Sequence, residues 1–123
     1  MKMIEGKANG HYSPAVVSRG QVFVSGQLSR DPATGLIPPT VREETLQALK
    51  NVENVLASAG AGLEDVVMCR VYVAGIKLWD EVNRAYEEVF KDHRPARAVV
   101  PVAELHFGCS VEIEAVAELP EEK

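Results

Sequence analysis

The sequence predicts an α+β fold, one mixed six-stranded sheet with two helices on one face. Three observations predict it. β-branched runs at residues 21–26 and 66–73 flank a strongly amphipathic helical pattern. A second helical pattern ends before Pro95 and gives way to strand-like sequence. Near the end of the chain, Val111, Ile113, Ala115 and Ala117 alternate, marking a buried strand face and sending Glu112 and Glu114 to the other side.

The elements follow in order. Residues 1–12 contain Gly6, Gly10 and few apolar groups, and read as an extended start. Residues 15–17 and 21–26 are two short strands, joined through Ser18-Arg19-Gly20, which has hairpin chemistry. Asp31-Pro32-Ala33-Thr34-Gly35 is a turn or loop. The first helix spans 41–59: Thr40 is its N-cap, Glu43 completes a T-x-x-E capping box, and Gly60 and Gly62 stop it. Its apolar stripe is Val41, Leu46, Leu49, Val52, Leu56 and Ala59. The second helix covers about 77–91, with Leu78, Val82, Ala85, Tyr86, Val89 and Phe90 as its stripe. A strand starts at Pro95, and the last strand runs from about 110 to 118. The tail Pro120-Glu121-Glu122-Lys123 is expected to be loose.

The resulting order is β-β-(loop)-α-β-α-β-β behind the extended start. One stripe per helix places both helices on one sheet face. The other face is left uncovered, and association is expected to cover it. The runs carrying Arg97 and Glu112 are expected to pair and to show both groups on that second face. Such a face either meets water or holds a site.

The 123 residues form a single domain, 1–123, long enough for a genuine core. A formal net charge of −5 argues against nucleic acid held by bulk electrostatics. Cys69 and Cys109 make no C-x-x-C pair, and Cys69 reads as a small buried hydrophobe. No apolar run reaches membrane-spanning length and no signal peptide opens the chain, so the cytoplasm is the expected compartment.

Arg97 has two readings. One is a surface or ion-paired arginine. The other is a carboxylate clamp, because a guanidinium presents a planar fork of donors. Glu112 is either a solvated strand residue, the commoner case, or a general base that positions water, with Glu114 as its decoy on the same face. A nearby arginine would lower its pKa and burial would raise it. Tyr12 offers a phenol or an ordinary loop aromatic. Ser25-Gly26-Gln27 is no nucleophile elbow. His11, His93 and His106 are scattered, which makes a metal site improbable, and His106 is a candidate rim residue. The P-loop and the dinucleotide fingerprint are both absent, so no nucleotide cofactor is implied.

Four blocks together resemble the RidA family, also known as YjgF or L-PSP endoribonuclease-like. They are Tyr12-Ser13-Pro14-Ala15-Val16, then Val22-Phe23-Val24-Ser25-Gly26-Gln27, then Val82-Asn83-Arg84-Ala85-Tyr86, and finally Pro95-Ala96-Arg97 with residues 111–117. The resemblance covers about residues 9–118 and implies a chorismate-mutase-like fold, a homotrimer with ligand clefts between subunits, and no cofactor. It implies hydrolysis of reactive enamines and imines such as 2-aminoacrylate to 2-keto acids and ammonia. It further implies a functional link to PLP-dependent dehydratases and a small carboxylate as substrate. Matched by position, Arg97 would grip the substrate carboxylate and Glu112 would position or activate water. Tyr12 and Ser25 would line the cleft, and Asn83 matches the family's asparagine on the second helix. The chain departs from the family where Leu105-His106-Phe107-Gly108-Cys109 replaces the usual Leu-Pro, and where Val99 replaces a frequent cysteine. Two alternatives stand beside the deaminase. One is a non-enzymatic trimeric module that binds small carboxylates, which has no need of Glu112. The other is an endoribonuclease, disfavoured by the acidic composition and the lack of a His pair.

Overall fold

The computed structural model describes residues 1–121. Of the tail expected to be loose, residues 122 and 123 lie outside the described residues. Six strands form one sheet: β1 (Lys2–Ile4), β2 (Ala15–Ser18), β3 (Gln21–Leu28), β4 (Val66–Val73), β5 (Ala96–Pro101) and β6 (Val111–Glu118). The helices are α1 (Val41–Ser58) and α2 (Trp79–Phe90). The spatial order is β1-β2-β3-β6-β4-β5, antiparallel throughout except for the parallel β4–β5 pair. The mixed α+β architecture is the expected one, and the extended start supplies its sixth strand as β1.

Local sequence explains the elements. The β2–β3 hairpin closes over Arg19 and Gly20, both at positive φ (50° and 78°), the geometry a two-residue turn needs to match strand twist. Thr40 Oγ1 accepts the Glu43 amide at 3.1 Å, so the threonine half of the capping box opens α1. Gly60, at φ 87°, follows its end. The core lies between the helices and one sheet face, and contains Leu49, Val52, Leu56, Val82, Phe90, Val71, Ile113 and Ala117.

Pairing corrects one expectation. β5 and β6 are not neighbours, because β4 stands between them. After α2 the chain returns along the outer edge of β4, and β6 then crosses back to fill the gap between β3 and β4. A parallel partner reached through a helix and an antiparallel partner far along the chain both leave no local signal.

The register also separates the two groups that were expected to share a face. Arg97 pairs with Cys69, and Cys69 pairs with Ala115, both on the buried helix side. Arg97 therefore faces α2. Glu112 pairs with Tyr72 and Glu114 with Arg70, on the open side. Rows of side chains cross that open face. Val16, Phe23, Val116, Met68 and Ala96 make one apolar row. The Glu114 and Glu112 rows follow it toward the end of the sheet that carries the 102–110 connection.

Candidate active site

Glu112 owes its surroundings to an irregularity in β3. Val24 pairs with Ala115 and Gln27 with Ile113, so three residues of β3 span two of β6. This bulge at Ser25-Gly26 brings the chain against the carboxylate. A Cβ on Gly26 would lie 3.0 Å from both Cδ and Oε2 of Glu112, so the glycine lets the carboxylate sit where a side chain would push it aside. Ser25 donates its hydroxyl to Ser13 O at 2.7 Å and its amide to Pro14 O at 2.9 Å. Those bonds hold the loop that carries Tyr12 over the bulge.

The result is a cleft of about 660 Å³. Tyr12, Ser25, Arg30, Tyr72, His106 and Glu112 line it, with Glu114 and Lys7 also on its walls. Glu114 is spent, accepting from Tyr72 Oη at 2.6 Å and meeting Arg70 at 3.5 Å. Glu112 differs: among the described residues no group donates a hydrogen bond to it. Burial pushes its pKa above the ordinary carboxylate value, the Glu114 charge adds to the rise, and His106 opposes it. Of the two effects anticipated for Glu112, burial wins and Arg97 plays no part.

Arg97 forms a second assembly, at the β5 edge. Its Nη1 donates to Asn83 Oδ1 at 2.8 Å, and its guanidinium carbon lies 4.8 Å from the Tyr86 ring and 5.7 Å from that of Trp79. Asn83 is in turn fixed by donating to Glu87 at 3.1 Å. Among the described residues no carboxylate lies within ion-pairing distance of Arg97. Within the described residues of one chain, Arg97 is therefore not half of an ion pair. Among the described residues, an amide and two rings hold this cation.

One chain thus divides the expected site residues into two sets. Tyr12, Ser25, His106 and Glu112 share the cleft, while Arg97 and Asn83 sit together on the opposite side of the sheet. The expectation of Arg97 and Glu112 side by side is corrected accordingly.

Comparison with known proteins gives this arrangement a context. Residues 4–119 match the family model described as "Endoribonuclease L-PSP". The chain belongs to the RidA/YjgF family. A human protein named 2-iminobutanoate/2-iminopropanoate deaminase is 43% identical over 111 residues, covering 89% of this chain and 81% of its own. A "RutC family protein" of Aquifex aeolicus is 42% identical over 110 residues, covering 88% of each chain. The crystal structure of the YjgF gene product of E. coli superposes with a TM-score of 0.90 at 34% identity, covering 96% of this chain and 98% of that one. The six-stranded fold with its two helices is therefore the RidA/YjgF fold, and the family includes imine deaminases.

The sequence reading passed over four residues that shape the cleft. Gly26 carried a signal, since glycine inside a strand marks a bulge or a close approach. Glu44 and Asn51 were detectable on the helical wheel, four residues ahead of Ala48 and one before Val52, within the buried stripe. Both are buried, and both tie α1 to the end of β3. Arg30 lay next to an evident turn and gave no signal.

Proposed function

We propose that the protein is a hydrolytic deaminase of reactive 2-enamine and 2-imino acids of the 2-aminoacrylate type, working at clefts between the subunits of a homotrimer. The observation that carries this reading is a pair of charges unspent among the described residues: a half-buried carboxylate with no donor and a guanidinium, held by Asn83, with no carboxylate. They lie on opposite faces of one sheet, so a common substrate must be held by Arg97 of one copy and Glu112 of another. The open face supports such packing. Its apolar row includes Phe23, 43% exposed, and the β5 edge that bears Arg97 has no neighbouring strand in the chain.

The chemistry follows from these two groups. An enamine tautomerises to a 2-imino acid whose C=N carbon is electrophilic. Arg97 binds the acid's carboxylate through its fork and fixes the direction of that carbon. Glu112 holds a water against it. As the water oxygen bonds to carbon, Glu112 takes a water proton, and the C=N electron pair moves to nitrogen. Glu112 returns its proton to that nitrogen, giving a neutral carbinolamine. It then carries the hydroxyl proton to the amine. The C–N bond breaks, the C=O bond forms, and ammonia leaves with Glu112 ionised again. The raised pKa makes Glu112 a stronger base than an ordinary carboxylate. An elimination such as that of a PLP-dependent dehydratase acting on a hydroxy amino acid would supply such an enamine.

The test couples the protein to a serine dehydratase and follows keto-acid release above the spontaneous rate. Arg97→Ala and Glu112→Gln are each expected to lose about 100-fold in catalysed rate. A variant Arg97→Ala that matches wild type would refute the assignment. Ligand binding that survives Glu112→Gln, with turnover in neither form, would instead favour the non-enzymatic binder. Mixing the two inactive chains tests the shared site. Random assortment in a cyclic ring restores roughly a quarter of the wild-type sites if Arg97 and Glu112 come from different subunits, and none if they come from one.

A further inference from the structure

Arg30 lines the same cleft as Glu112, and the chemistry above gives it no task. Its backbone is tightly held. Asn51 Nδ2 donates to Leu28 O at 3.0 Å and to Arg30 O at 2.8 Å, and the Ser29 amide donates to Val111 O at 3.0 Å. Its side chain is held too. The guanidinium carbon lies 3.8 Å from the centroid of the Phe107 ring. That ring is stacked on His106, with centroids 3.8 Å apart and planes 14° apart. An imidazole at that distance fills one face, so the guanidinium takes the other, and the order is His106, Phe107, Arg30.

The stack is built at a conformational cost. Phe107 sits at φ 62°, in the left-handed region that a bulky residue avoids. Glu44 holds it there: one oxygen, Oε1, accepts from Ser29 Oγ at 2.9 Å and from Ser110 N at 2.8 Å. A buried carboxylate therefore clamps the segment before Arg30 to the segment after Phe107.

A guanidinium stacked by its face keeps its N–H edge for a planar acceptor. Among the described residues no carboxylate lies within ion-pairing distance of Arg30. Glu114 is engaged with Tyr72 and Arg70. We propose that Arg30, carried on the Phe107 ring, is a second carboxylate anchor, and that the preferred substrates are 2-imino dicarboxylic acids. This rests on the deaminase reading for the imine end, which Arg97 and Glu112 would hold, while Arg30 takes the distal carboxylate.

The experiment compares 2-iminopropanoate with 2-iminoglutarate, each generated in situ by an amino-acid oxidase of matching specificity. Wild type is expected to favour the dicarboxylic imine about tenfold in kcat/KM. Arg30→Ala should remove that preference through KM, with the loss on the dicarboxylic imine about tenfold greater than any loss on the monocarboxylic one. Arg30→Lys should recover part of it, as a point charge without the fork. Equal losses on both imines, or no preference in wild type, would overturn the anchor while leaving the deaminase intact. Calorimetry with 2-ketoglutarate, pyruvate and inorganic phosphate supplies a readout without turnover. Arg30-dependent binding of 2-ketoglutarate by a protein that hydrolyses neither imine would keep the anchor and refute the deaminase. Phosphate bound as tightly as 2-ketoglutarate, and lost equally with Arg30→Ala, would refute the carboxylate assignment.

Discussion

Replacing Glu44 tests whether one buried oxygen organises the cleft wall. Glu44 is 5% exposed, and a single atom, Oε1, accepts both the Ser29 hydroxyl and the Ser110 amide. Hydrogen bonds to a charged acceptor contribute about 1.5–3 kcal/mol each, and a buried donor left unpaired costs about 1–3 kcal/mol. Ser29 is fully buried, so in Glu44→Ala its hydroxyl loses its acceptor with no access to water. The expected loss is about 4 kcal/mol. Glu44→Gln differs because its amide oxygen can occupy the Oε1 position and keep both donors. Only the charge assistance goes, which roughly halves each bond, for about 1–2 kcal/mol.

Urea unfolding at fixed protein concentration reads both values. With a slope of about 1.5 kcal/mol/M, Glu44→Ala should lower the midpoint by about 2–3 M and Glu44→Gln by about 1 M. The same variants carry a functional readout. Ser29 precedes Arg30 and Ser110 closes the connection bearing Phe107, so Glu44→Ala should also raise KM for a dicarboxylic imine, even where the protein is fully folded. The reasoning fails if Glu44→Ala costs under about 1 kcal/mol, or if Glu44→Gln is as damaging as Glu44→Ala.

Three further outcomes are expected. In Gly26→Ala the new Cβ would lie 3.0 Å from the Glu112 carboxyl and must displace it, so kcat should fall about 10- to 100-fold while thermal denaturation shows the fold retained. In Glu114→Gln the lost charge removes one of the two causes that raise the Glu112 pKa. The base works only when ionised, so activity is lost as pH falls through that pKa, and the acid limb of kcat/KM should move to lower pH; an upward shift would exclude Glu112 as the base. Thr40→Ala removes the N-cap of α1 and should cost about 1 kcal/mol in thermal or urea unfolding with turnover unchanged.

Much of the fold was legible because its signals were local. Thr40 and Gly60 bracket α1, Arg19-Gly20 closes the hairpin, and the alternation of Val111, Ile113, Ala115 and Ala117 is the buried face of β6. What stayed hidden was non-local. No residue of β5 announces that its partner is β4 rather than β6. The run Ala96-Arg97-Ala98-Val99-Val100-Pro101 has small or apolar groups at both parities, so its period assigns no face. Only the Cys69–Arg97 register turns Arg97 toward α2. Residue types at the site were readable from the family blocks, but the three-layer stack was not. It depends on a positive φ at Phe107, which no glycine signalled, and on Glu44 bridging Ser29 and Ser110, two segments far apart in the chain.

The face assignment changes what a single chain can do. A carboxylate seated on Arg97 lies on the helix side of β5, between Asn83 and the rings of Tyr86 and Trp79. The backbone of β4 and β6 then separates it from Glu112, whose cleft opens on the other side. No small imino acid spans a sheet. Under the deaminase reading, an isolated subunit therefore holds a complete set of catalytic residues and no complete site. In the single chain Arg97 is already held by an amide and two rings, and Glu112 already lies against the β3 bulge. Under the same reading, association would have only to bring these two halves together, which lowers the ordering cost left for substrate binding. The same argument separates the roles of the two arginines. Arg97 can reach a substrate at Glu112 only from a neighbouring copy, whereas Arg30 shares that cleft within its own chain. Under the proposed deaminase and anchor roles, the distal group would be read by the subunit that supplies the base, and the reacting end oriented by its neighbour.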